Sequence, residues 1–192
     1  MKRIMDEKRL VVISGPSGCG KDSVVNELVS SRTDMALSVS STSRPKREYE
    51  AEGEHYYFLS REEFERQIER GMMLEHTQYS GHFYGTSLAE IEDKLRDDKT
   101  VILIIETTGA SNIKKEFPDS LRVFVAPPSL EELERRLRLR GSESDPEIEK
   151  RLEIARREMA RANEYDYVII NDEVKSCADR LMEIIGDWQR TH

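Results

Sequence analysis

A chain of 192 residues is long enough for one domain with a real core, and its 35% charged residues and net charge of −8 argue against general binding to nucleic acid or an anionic membrane, both of which favour basic surfaces. The N-terminal MKRIMDEKRL is charged, no apolar run is long enough to cross a bilayer, and Cys19 and Cys177 stand far apart, so secretion, membrane insertion, a disulfide framework and a zinc cluster are all disfavoured. A soluble cytoplasmic protein is expected.

Short apolar runs alternate with helical patterns along the chain. Leu10 to Ser14 reads as a buried strand, followed by a glycine-rich turn and a helix from near Lys21 to about Ser31. Met35 to Ser40, Val101 to Ile105, Leu121 to Val125 and Tyr167 to Ile170 read as four further core strands. Such continuous β-branched runs suit strands buried on both faces of a parallel sheet, with helices as crossovers. Between Ser41 and Gly85 the alternation breaks into short aromatic-rich segments around a helix at 61–70, which predicts a small mixed subdomain inserted into the sheet order. Three helix starts carry the S-x-x-E capping pattern, at Ser60 with Glu63, Ser87 with Glu90 and Ser129 with Glu132. A further helix begins at Asp145-Pro146 and runs to about Ala162, and the last spans about Lys175 to Trp188 with Leu181, Ile184, Ile185 and Trp188 on one face.

The chemistry starts at Gly15-Pro16-Ser17-Gly18-Cys19-Gly20-Lys21-Asp22-Ser23. Glycines let successive backbone N–H groups turn inward, Lys21 adds a full positive charge, and the next helix presents its N-terminus; together they form a cradle for nucleotide phosphates. The spacing does not fit the dinucleotide fingerprint. Position 22 usually holds a Ser or Thr whose hydroxyl meets Mg²⁺. Asp22 offers a charged hard-oxygen ligand instead, or simply a helix-terminal carboxylate favoured by the dipole. Cys19 reads as a small residue filling the loop.

Farther on, Arg44 and Arg47 lie three apart in a proline-containing loop, which suits either a phosphate clamp or a solubilising surface. Leu130 to Arg157 interleaves eight basic residues with seven glutamates. Ordinary i,i+4 pairing accounts for much of that pattern, and arginines closing over an anionic site for the rest.

The succession GPSGCGK, SVSSTSR, EAEGEHYYF, LEHTQYSGHFYGTS, APPSLEELERRLRLRG and VIIND resembles the guanylate kinase family from about Leu10 to the C-terminus. The resemblance implies a three-layer P-loop kinase fold. Its parts would be a five-stranded parallel core (about 8–37, 87–128 and 163–192), a GMP-binding subdomain (about 38–86) and a helical lid (about 129–162). It implies Mg²⁺-dependent transfer of the ATP γ-phosphoryl group to GMP or dGMP, with the loop from Gly15 to Ser23 and Asn171 on ATP. Ser40, Arg44, Arg47, Tyr56 and Tyr84 would hold the GMP phosphate, Glu75 and Thr86 would read the guanine, and Glu50 and Glu106 would add acidic contacts. Lys21, Arg136, Arg140 and Arg151 would neutralise charge during transfer. ATP and GMP are the expected partners, without nucleic acid or membrane.

Two stretches depart from the family's pattern. An L-D-x-D run at the end of the third core strand reads Leu103-Ile104-Ile105-Glu106 here, and Asp22 stands in the phosphate loop. The Gly20-Lys21-Asp22-Ser23 sequence also resembles a ribose 1,5-bisphosphate phosphokinase. A non-catalytic guanylate-kinase-like peptide-binding module is the other alternative, although it has little need for a complete phosphate loop.

Overall fold

The computed structural model describes residues 6–30, 32–79, 81–140 and 144–192. A single 3-10 turn, Glu7–Arg9, leads into β1 (Leu10–Ser14), α1 (Lys21–Ser30), β2 (Met35–Leu37), β3 (Ser41–Thr42) and β4 (Tyr57–Phe58). Then come α2 (Arg61–Glu69), β5 (Met73–Tyr79), β6 (His82–Ser87), α3 (Leu88–Arg96), β7 (Thr100–Ile104) and α4 (Thr107–Glu116). The chain continues through β8 (Leu121–Ala126), α5 (Leu130–Arg140), α6 (Asp145–Met159), β9 (Tyr167–Ile170) and α7 (Val174–Thr191).

Five strands form a sheet in the order β2-β7-β1-β8-β9, every pair parallel. Strand β1 takes the centre because Leu10-Val-Val-Ile-Ser has no charge to solvate; all five residues are buried. Its side chains alternate between faces, as a strand's must. Val11 and Ile13 join the apolar cluster under α1 and α7, whereas Leu10 and Val12 join the one containing Ile91 of α3 and Ile113 of α4. The charged helices α5 and α6 bury Leu133, Leu137, Ile148, Leu152 and Ala155 in the first of these clusters. Their apolar faces are therefore part of the main core.

The inserted segment builds a second sheet, β4-β3-β6-β5, in which β3 is parallel to β4 and antiparallel to β6. Its own packing includes Phe64 of α2 stacked on Phe83 of β6, ring centres 5.3 Å apart. All three anticipated S-x-x-E caps form, Ser60, Ser87 and Ser129 accepting from the backbone N–H groups of Glu63, Glu90 and Glu132. Among the described residues no helix is long and apolar enough to cross a membrane.

Three expectations are corrected. Strand β2 stops at Leu37 rather than Ser40, because the Val39 N–H turns to the Glu90 carboxylate and the chain leaves for the second sheet. Strand β9 is not buried on both faces: it is an edge strand paired only with β8, and Val168 and Ile170 are exposed. Helix α6 ends at Met159, followed by a 3-10 turn at Ala162–Glu164.

Candidate functional site

Strand β1 delivers the chain to the phosphate loop, and α1 leaves it. Gly15, Gly18 and Gly20 have φ of 147°, 92° and 92°, conformations that side chains rarely tolerate. Space is equally restrictive: a Cβ on Gly15 would lie 2.1 Å from the Val125 carbonyl oxygen, and one on Gly20 would lie 2.4 Å from Asn171 Nδ2. The Cys19 thiol donates to the Val125 carbonyl at 3.2 Å, and burial pushes its pKa up, which suits a structural filler rather than a reactive thiol. Lys21 Nζ donates to the carbonyl oxygens of Gly15 (2.6 Å) and Pro16 (3.0 Å), so its ammonium lies across its own loop. Asp22 and Ser23 are exposed in the first turn of α1.

From this loop a cavity of about 410 Å³ runs into the second sheet. Lys21 and Asp22 line one end, and Tyr56, Glu75 and Tyr84 the other, with Ser40 and Glu106 also on its walls. Ile104, standing where a carboxylate was expected, lines the same space as Asp22.

At the far end Glu75 projects from β5 and is only 6% exposed. The Thr86 hydroxyl donates to its Oε1 at 3.2 Å and lies 3.4 Å from the Ser40 hydroxyl. Burial pushes the Glu75 carboxyl up to about 7; the bonds from Thr86 oppose the shift and the Glu106 charge adds to it. Arg44 forks onto both Glu50 carboxylate oxygens (3.0 and 2.7 Å) and lies over the Tyr56 ring at 5.5 Å. That fork, with the Arg47 N–H at 2.8 Å, holds Glu50 down to about 2. Glu50 is thus the internal counter-ion of Arg44. The Arg47 guanidinium is exposed and donates to the Tyr49 hydroxyl at 2.7 Å, so the two arginines do not converge as one clamp. Tyr56 and Tyr84 meet edge to face, 6.1 Å between ring centres.

Above the loop, intrahelical pairs absorb much of the charge on α5 and α6: Arg138 with Glu134, Arg157 with Glu153 and Arg135 with Glu132. Two of the anticipated arginines reach the loop. Arg136 pairs with Glu132 and donates to the carbonyl oxygens of Cys19 (3.3 Å) and Asn171 (2.9 Å); Arg151 donates to Ser17 Oγ at 3.0 Å. The side chain of Arg140 lies outside the described residues. Asn171 is 2% exposed and donates to the Cys19 carbonyl at 2.8 Å, while its Oδ1 is buried without a hydrogen-bond partner.

Sequence reasoning missed Glu158, a buried residue of α6. Burial and the neighbouring Glu106 carboxylate push its carboxyl well above the usual carboxylate range, against the pull of Lys21 and Arg161. It sits in a run of charges, Arg156-Arg157-Glu158, with nothing to separate it from a solvated face. It also missed Gly109, which has no special backbone conformation and abuts Glu75.

A protein-family profile described as guanylate kinase matches residues 7–188. A guanylate kinase of Prochlorococcus marinus (strain MIT 9312) is 42% identical over 180 residues, covering 94% of this chain and 98% of that protein. The crystal structure of guanylate kinase from Anaplasma phagocytophilum superposes with a TM-score of 0.76 at 33% identity, over 94% of this chain and 85% of that one. A shikimate kinase structure from Bacteroides thetaiotaomicron, 17% identical with a TM-score of 0.51 over 92% of this chain and 98% of its own, shares the fold alone.

Proposed function

The chain belongs to the guanylate kinase family, and on that premise we propose that it is an ATP:GMP phosphotransferase, giving ADP and GDP. The observation that carries this reading is the single cavity joining the phosphate loop to a buried acid in the second sheet. Two anionic substrates held at its ends can meet head to head, so their reaction becomes effectively unimolecular.

At the acceptor end Glu75 accepts hydrogen bonds from the N1–H and 2-amino group of guanine, with Thr86 fixing its orientation. Adenine lacks that donor edge. Ser40, Arg44, Arg47, Tyr56 and Tyr84 hold the GMP phosphate: Arg44 by turning its fork from Glu50, Arg47 by leaving Tyr49. Glu106 adds an acidic contact. At the donor end the N–H groups from Gly15 to Ser23 cradle the ATP phosphates, and Lys21 exchanges its loop carbonyls for phosphate oxygens. The adenine approaches Asn171, whose buried side chain donates to the Cys19 carbonyl and so braces the loop. A GMP phosphate oxygen attacks the γ-phosphorus in line. Lys21, Arg136, Arg140 and Arg151 hold the spreading charge, and no protein nucleophile takes part.

The donor set suits Mg²⁺. Among the described residues no group of three or more His, Cys, Asp or Glu side chains could hold a metal; of the three exposed carboxylates on the cavity wall, Asp22, Glu54 and Glu106, it is Asp22 that directly follows Lys21 in the phosphate loop. This ion commonly keeps several waters and takes only one or two protein carboxylates together with substrate phosphates. Asp22 would hold it, and its charge would neutralise the β and γ oxygens.

The test is ADP release with GMP, AMP, UMP and ribose 1,5-bisphosphate as separate acceptors. Turnover with GMP far above the others is expected. Equal turnover with AMP would overturn the guanine assignment, preference for the bisphosphate would make the protein a sugar-phosphate kinase, and no turnover with any acceptor would leave a binding module.

A further inference from the structure

Glycine is a poor choice inside a helix, where it costs about 1 kcal/mol relative to alanine. Yet Gly109 stands in the first turn of α4, buried, with none of the left-handed φ that would demand glycine. What surrounds it supplies the reason. A Cβ built there would lie 2.8 Å from Oε2 of Glu75 and 3.5 Å from its carboxyl carbon, with Ile105 Cδ1 at 3.4 Å. The other carboxylate oxygen, Oε1, is tied to Thr86. The carboxylate therefore sits between a hydroxyl on β6 and a bare stretch of helix backbone. Three residues before Gly109, at the N-terminal boundary of α4, Glu106 lines the cavity that Glu75 also lines.

We propose that Gly109 is a specificity-determining positioning residue: by omitting a side chain it seats the Glu75 carboxylate at the depth where both oxygens meet the guanine edge. The proposal rests on Glu75 reading guanine. A methyl group at 109 must displace Oε2, because a carboxylate oxygen 2.8 Å from a carbon is inside contact distance. With Oε1 held by Thr86, the group can only swing or surrender that bond. Either movement spoils two parallel hydrogen bonds more than one. GMP, which presents N1–H and a 2-amino group, loses more than IMP, which presents N1–H alone.

The experiment measures dissociation constants for GMP, IMP and Mg-ATP by calorimetry on the whole protein carrying Gly109→Ala, Glu75→Asp or both. Gly109→Ala is expected to weaken GMP about ten-fold, IMP about three-fold or less and Mg-ATP less than about two-fold. Glu75→Asp withdraws the carboxylate from α4, so Gly109→Ala added to it should cost less than about two-fold more. Losses that multiply in the double variant would mean that Gly109 acts through helix packing, and would overturn the proposal. So would unchanged GMP affinity in Gly109→Ala while Glu75→Gln loses it. Absence of GMP binding by the parent protein would instead overturn the guanylate reading itself. If Gly109→Ala fails to fold, Glu75→Ala made in the same chain removes the obstructing carboxylate and must restore folding. Continued unfolding then refutes the steric account.

Discussion

Replacing Glu75 by Gln removes a charge but little volume from a pocket where the carboxyl is 6% exposed and is pushed up to about 7 from an ordinary value of 4.5. A carboxyl whose folded value is raised weakens the fold as pH rises. Its penalty is nearly absent below 4.5, grows between 4.5 and about 7, and is complete above that. At pH 8 the gap corresponds to about 3 kcal/mol, and at pH 5 to less than about 1 kcal/mol. The Gln oxygen can still accept from Thr86 Oγ1, so the substitution leaves that hydroxyl a partner. The nucleotide-free variant should thus be more stable than the parent at pH 8, with an unfolding temperature roughly 6–12 °C higher for a chain of this size, and only slightly more stable at pH 5. It should also lose GMP affinity, because a carboxamide turns one acceptor into a donor facing a donor edge. Scanning calorimetry at the two pH values measures the first effect and GMP titration the second. A variant no more stable than the parent at pH 8, or equally stabilised at both pH values, would refute the burial argument.

Lys21→Met should lower kcat/KM by about 10³-fold or more while leaving the unfolding temperature within a few degrees, since among the described residues the ammonium bonds to two carbonyls of its own loop; ADP release and calorimetry read both. Arg44→Lys should raise KM for GMP by about ten-fold or more with little change for ATP, because a point charge does not reproduce a fork. Arg44→Met should also make the protein more sensitive to acid: Glu50 held at about 2 stabilises the fold above 4.5, and that contribution is lost as pH falls toward 2, so losing Arg44 moves the acid transition upward in a pH titration of structure. Asp22→Asn should reduce the difference in ATP affinity measured with and without Mg²⁺, and an unchanged difference would show that Asp22 is not a ligand.

The strands at the middle of the main sheet were legible because each is a run that cannot be solvated, and the three S-x-x-E helix starts because one hydroxyl meets one N–H. Strand β9 misled for the same reason: Tyr167-Val-Ile-Ile reads as an interior run, yet it pairs on one side only and leaves three of its four residues exposed. Helix α4 gave no start signal, since Glu106 makes no side-chain cap bond and Thr107-Thr-Gly-Ala is weakly apolar. The phosphate loop could be read from a short stretch of sequence because glycine spacing and a lysine are the chemistry. The acceptor end could not. Glu75 comes from one strand, Thr86 from the next and Gly109 from a helix over twenty residues later, so their meeting depends on how two sheets and α4 pack. Glu158 is invisible for a related reason: a glutamate among arginines becomes special only when α6 carries it beside Glu106 and Lys21.

The described cations assigned to the two substrates share a property that their sequence positions do not suggest: each has an internal partner. Lys21 is bonded to its own loop carbonyls, Arg44 to Glu50, Arg47 to Tyr49, Arg136 to Glu132 and two carbonyls, and Arg151 to Ser17. Substrate binding then exchanges partners rather than creating charge contacts from nothing, and its net gain is the difference between a phosphate and the group displaced. That difference is large where the displaced group is a neutral carbonyl or hydroxyl, as for Lys21 and Arg47, and small for Arg44, whose partner is already a carboxylate. Substituting Glu50 by Gln should therefore tighten GMP binding as long as Arg44 keeps its orientation, through the 5.5 Å contact with Tyr56 and the 2.8 Å bond to the Pro45 carbonyl. Weaker GMP binding in Glu50→Gln with affinity for ATP unchanged would show the opposite: that Glu50 supplies the rigidity that points the fork at phosphate, and that pre-orientation outweighs the competition it imposes.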